Sequence, residues 1–135
     1  MYSAEEFFRL RRSEDPDEYR RASSDEAPLG VWLSVVERFP EMRSWVAHNK
    51  TVPLEILERL AVDLDAGVRA AVASKRKLSF ALQVLLRTDA DASVRERLAC
   101  NEKCDPEILR LLASDAEESV RSAAIRRLKE RESAL

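Results

Sequence analysis

The sequence predicts an all-α fold, a stacked array of short helix pairs, on three observations. Arg43, Arg69, Arg95 and Arg121 stand 26 residues apart, and most of the chain between them repeats in register. A fixed period of that length marks a row of supersecondary units rather than one closed globule. Within each period the apolar residues recur at helical spacing. Two glycines and 6% aromatics beside 36% charged residues suit helices, and leave little turn glycine or ring content for a sheet.

Residues 1–42 read as an N-terminal helical cap with one degenerate repeat. Ser3 with Glu6 and Asp15 with Glu18 are capping-box pairs for two short helices. Phe7, Phe8 and Leu10 are placed to cover the open end of the first repeat. Tyr19-Arg20 stands where a Val-Arg pair belongs, and Pro28 to Val36 matches the helix that begins at Pro53.

Residues 43–119 hold three 26-residue repeats, each split into two helical halves. The first half carries the columns Met42/Val68/Val94/Val120, Val46/Val72/Leu98/Ala124 and Ala47/Ala73/Ala99/Ile125, which share one helix face. The second half carries Leu54/Phe80, Ile56/Leu82/Ile108, Leu57/Leu109 and Leu60/Leu86/Leu112, an amphipathic helix of about three turns. Thr51 with Pro53, Ser79, and Asp105-Pro106 mark its start as N-caps or a first-turn proline. The acidic turns Asp63-Leu64-Asp65, Asp89-Ala90-Asp91 and Asp115-Ala116-Glu117 suit the positive end of the helix that follows. Residues 120–135 read as a charged C-terminal capping helix with Ile125 and Leu128 inward.

Charge narrows the function. The net value is −2. Residues 1–42 carry 6 Lys/Arg against 10 Asp/Glu, and residues 43–135 carry 17 against 15. Neither segment has the strong positive field of a general nucleic-acid binder. The acidic start lacks a secretion signal's cationic segment, and no apolar run approaches the roughly 20 residues that span a bilayer. Cys100 and Cys104 fit a reducing compartment without disulfides, so a cytoplasmic protein without membrane contact is expected.

The pattern Val-Arg-x-x-Val-Ala, then Pro-x-Glu-Ile-Leu-x-x-Leu-Ala-x-Asp, then the next Val-Arg, resembles the leucine-rich repeat variant family and is similar to HEAT-type helical repeats. It is clearest from Trp45 to Leu57 and from Leu98 to Asp115, and covers residues 43–127 well. The resemblance implies a right-handed superhelix, an α-solenoid, with a ladder of Asp63, Asp89 and Asp115 with Arg69, Arg95 and Arg121. Some relatives carry an iron–sulfur cluster on an N-terminal cysteine-rich segment. No cysteine precedes Cys100 here, so no cofactor is carried over.

The arginine column invites a phosphate-binding reading, since guanidinium matches phosphate geometry. The aspartates at fixed spacing favour internal pairing instead. Lys75-Arg76-Lys77 is the one basic cluster, in register with Asn49-Lys50-Thr51 and Asn101-Glu102-Lys103. A polar-to-basic column of this kind suits an acidic partner or a phosphate backbone, and a solvated inter-helix turn explains the same residues. Trp45 stands where the other repeats place Ala71, Arg97 and Ala123, so it either packs on the N-terminal helices or anchors a partner. Trp32 falls in the Leu57/Leu109 core column.

The candidate partner-binding residues are therefore Trp45, Asn49, Lys50, Lys75, Arg76, Lys77, Asn101 and Lys103. His48 has no nucleophile or ligand cluster in the sequence, and two cysteines alone do not make a zinc site. No catalytic, cofactor or metal residues are assigned. The expected function is a non-enzymatic scaffold for protein–protein interaction, of bacterial adaptor or immunity type. Nucleic-acid binding through the basic turns is the alternative. Leu86→Ala, in the central repeat, should cost roughly 2–5 kcal/mol by chemical denaturation; a loss below about 0.5 kcal/mol, ordinary for a surface site, would show the core face to be misplaced.

Overall fold

Short polar side chains start most of these helices by accepting the otherwise unpartnered N–H groups of the first turn. The computed structural model describes residues 1–134. Among them are ten α-helices, one 3₁₀ turn and no strand. The helices gather into two units, Met1–Val62 and Asp63–Leu135.

The first unit holds α1 (Ala4–Arg11), α2 (Pro16–Ser24), α3 (Leu29–Arg38), a 3₁₀ turn (Pro40–Met42), α4 (Arg43–His48) and α5 (Leu54–Leu60). Ser3 Oγ accepts the Glu6 N–H at 3.0 Å to cap α1, and Asp15 accepts the Asp17 N–H at 2.9 Å to cap α2. α1 lies against α2 and α3. There Phe7 meets Trp32 edge-on at 5.6 Å, and both rings are fully buried together with Leu10 and Val35. Trp32 is core, as its column requires. Phe8 is half-buried against Phe39 at 4.8 Å.

The second unit holds α6 (Ala66–Ala73), α7 (Phe80–Leu86), α8 (Ala92–Cys100), α9 (Pro106–Leu112) and α10 (Glu118–Ser133). Asp65, Ser79, Asp91 and Asp105 cap α6 to α9 in turn. α8 packs against both α6 and α10, and α7 and α9 lie against these. The columns Val68/Val94/Val120, Val72/Leu98/Ala124, Leu82/Ile108 and Leu86/Leu112 are all buried between them.

Two column assignments need correction. Leu54 and Phe80 are half exposed rather than core. Each sits two residues before a buried position (Ile56, Leu82), and 200° of rotation turns it to the opposite face. Ile125 is 41% exposed, although Ala73 and Ala99 in its column are fully buried. α6 ends at Ala73 and α8 at Cys100, whereas α10 runs on past Ile125 to Ser133.

The arginine ladder is present in the second unit, with a longer reach than the spacing suggested. Arg69 Nε and Nη2 donate to Asp89 at 2.8 and 3.2 Å, and Arg95 makes the same fork to Asp115 at 2.8 and 3.2 Å. Each carboxylate lies 20 residues downstream. The aspartate six residues upstream offers its main-chain carbonyl instead: Asp63 to Arg69 at 2.7 Å, Asp89 to Arg95 at 2.6 Å, Asp115 to Arg121 at 2.8 Å. The Arg95 fork holds the Asp115 carboxyl below its ordinary range, against the opposing effect of burial. Both side chains are at most 15% exposed, so solvent screens this pair little.

A folded-state pKa below the unfolded value stabilises the protein above the unfolded pKa of about 3.9, and that stability drains as pH falls through the folded value. Asp115→Asn should therefore cost roughly 1–3 kcal/mol at neutral pH. It should also flatten the wild type's loss of stability between about pH 5 and pH 3. Urea midpoints across that range check both effects, and an unchanged acid slope would remove Asp115 as its source.

Candidate interaction surface

Where a first helix ends, its last carbonyls need donors. Two of the candidate residues supply them. Asn101 Nδ2 donates to Ala73 and Lys75 carbonyls at 2.9 and 2.8 Å, while its Oδ1 accepts the Lys103 N–H at 2.9 Å. Asn49 does the same in the first unit, donating to Ala22 and Asp25 at 2.9 and 3.1 Å and accepting from Thr51. Both asparagines are buried. They tie one helix end to the next turn and offer no surface. Arg127, further along the same column, donates to the Cys100 carbonyl at 2.6 Å.

The remaining turn residues face outward to different extents. Lys50, Arg76, Lys77 and Lys103 are exposed, and Lys75 is half-buried, which pulls its ammonium pKa down from its ordinary value. Arg76 lines an open groove of about 340 Å³ with Ser74, Arg97, Cys100, Asn101 and Glu102. Arg97 Nη1 donates to Ser74 Oγ at 2.8 Å within it. Burial pushes the Cys104 thiol up to about 11, which keeps it protonated and unreactive near neutral pH.

Trp45 both packs on the N-terminal helices and keeps part of its ring in solvent. The Arg11 guanidinium lies 3.5 Å from the Trp45 ring centre and 4.3 Å from that of Tyr19. The His48 ring is 5.4 Å away. Such stacking places a cation against the negative ring faces and leaves Trp45 39% exposed.

α7 carries the surface that the sequence reading missed. Its sequence, Phe-Ala-Leu-Gln-Val-Leu-Leu, contains one polar residue, and that residue is buried with Leu82 and Leu86. Gln83 is 4% exposed in the column that Leu57 and Leu109 fill elsewhere. Its amide donates to Leu78 and Lys103 carbonyls at 3.0 and 3.5 Å and its Oε1 accepts the Asp105 N–H at 2.8 Å. The outer face is apolar: Phe80 is 50% and Leu85 45% exposed, with Ala81 exposed and Val84 half-buried. The positions matching Ala81 and Val84 are charged in both neighbours, Glu55 and Glu58 on α5 and Glu107 and Arg110 on α9, and Arg59 matches Leu85; Phe80 matches Leu54, which is 51% exposed, and Pro106. Leu111, in register with Leu85, is 55% exposed.

No family model, curated protein or solved structure matches this chain. The surface must therefore be read from its own chemistry. It offers a basic turn edge around Arg76 and Lys77, and an apolar face on α7.

The two classes of turn residue predict different responses. Asn101→Ala strands the buried Ala73 carbonyl and the part-buried Lys75 carbonyl, and should cost roughly 1–3 kcal/mol. Lys103→Ala and Arg76→Ala should change stability by less than about 0.5 kcal/mol. Thermal and urea unfolding of the three variants separate them, and equal small losses would show that the Asn101 amide holds nothing.

Proposed function

We propose that this chain is a non-enzymatic scaffold of adaptor or immunity type that binds another protein. In this reading the helix pairs stack as a right-handed α-solenoid, similar to leucine-rich repeat variant and HEAT-like proteins. The Arg69–Asp89 and Arg95–Asp115 forks, which link consecutive turns of the second unit, support the stacking.

The outer face of α7 carries the interaction reading. An exposed apolar stripe on a charged surface costs solubility and gains nothing for the core, and such patches mark protein contacts. Arg76, Lys77 and Lys103 form a polar margin that suits an acidic protein surface, and Lys50 and Trp45 offer the same chemistry in the first unit. The ladder arginines take no part, because carboxylates and carbonyls already engage them.

A second reading, binding to a phosphate backbone, rests on the groove that holds Arg76 and Arg97. Salt separates the two. Phosphate contacts give a steep fall of affinity with salt, while an apolar contact is far less sensitive. Affinity capture from the source cells should retain a protein that Leu85→Glu releases. Duplex DNA and single-stranded RNA should show little binding between about 50 and 200 mM salt. Steep salt-dependent nucleic-acid binding, lost in Arg76→Glu/Lys77→Glu, with no Leu85-dependent protein captured, would reverse the assignment.

A further inference from the structure

We infer that the occupant of the α7 face is a short amphipathic helix of another protein, with acidic residues flanking its apolar stripe. This inference rests on the protein-binding reading and names the partner's docking element. Phe80, Ala81, Val84 and Leu85 recur at one-turn spacing and form a stripe about 10 Å long. A groove of about 310 Å³ adjoins its C-terminal end, lined by Arg87, Thr88, Leu111, Leu112 and Asp115. It brings Leu111 of α9 next to the residues that follow α7. A ridge beside a groove is the surface into which a second helix interlocks. Addition of a strand needs a free sheet edge, and the described residues include no strand.

Charge selects the partner's sign. Lys77 precedes α7, Arg87 follows it, and Arg110 stands beside Leu111 on α9. Among the described residues none of the three side chains has an ion-pair or hydrogen-bond partner. Opposing them on the same surface are Glu107, which is exposed, and Asp115, whose carboxylate Arg95 already holds. An apolar stripe with a net cationic margin favours a helix with carboxylates on its flanks and repels one with lysines there.

The test uses the full chain and two labelled amphipathic peptides of about four turns, with leucines at i, i+3, i+4 and i+7. One carries glutamates on the flanks, the other lysines. By fluorescence anisotropy the acidic peptide should bind at least about tenfold more tightly, a difference of about 1.4 kcal/mol. Leu85→Glu should lose that binding by a similar factor, and Arg87→Glu/Arg110→Glu should invert the preference. Leu85 and Arg110 are exposed and Arg87 is half-buried at the rim of the groove, and circular dichroism verifies that the variants keep their helices.

Equal binding of both peptides, binding of neither, or no effect of Leu85→Glu overturns the inference. Self-association in sedimentation, abolished by Leu85→Glu, also overturns it and makes a second copy the occupant. If cellular capture depends on Leu85 while the acidic peptide gains nothing over the basic one, the partner class fails and protein binding stands. If capture shows no such dependence either, both fail.

Discussion

Arg95 is the joint on which the second unit depends. Its guanidinium reaches the carboxylate of Asp115 on one side and the carbonyl of Asp89 on the other. One planar cation thus fixes its own preceding turn and the next one simultaneously. Arg69 repeats the arrangement one period earlier, with Asp89 taking the carboxylate role. Asp89 therefore serves both arginines by different atoms. The fork geometry explains arginine at this column, since lysine presents a point charge and cannot span two acceptors at fixed angles.

A row of four arginines at constant spacing is the most regular cationic feature of the sequence, yet in the second unit its charge is met inside the fold. Asn101 and Arg127 remove further polar positions by capping helix-end carbonyls. Regularity here marks scaffold. In the proposed protein-binding reading, recognition falls to positions where the period breaks.

Much of the fold was legible in the sequence because the period and the helix spacing are local signals. The buried valine columns, the aspartate and serine caps and the Trp32 core position all follow from a pattern within one repeat. The ladder's carboxylate partner was harder to assign, because sequence offers an aspartate six residues away and another 20 away, and only packing chooses between them. The burial of Asn49 and Asn101 is not legible in sequence, because a polar residue at a turn has the same composition whether it faces water or a helix end. The α7 face does leave a signal: glutamine in a leucine column, with alanine and valine in columns of charge. The signal is weak because apolar residues at helical spacing look the same whether they face a core or water.

The two anomalies of α7 are physically independent, and that strengthens the functional reading. Gln83 has a structural reason of its own, for its amide closes the Leu78 carbonyl and the Asp105 N–H across two turns. That role explains the inner face alone. A helix could keep Gln83 inside and still place glutamate or arginine outside, as α5 and α9 do at the positions matching Ala81 and Val84. Burial cannot account for the outer face, because half of Phe80 and nearly half of Leu85 remain in water. Helix propensity explains Ala81 but neither Phe80 nor Val84, since valine at position 84 is a weaker helix former than Glu58 and Arg110 in the same column. What those side chains do offer is apolar area that becomes favourable once a second surface removes it from water.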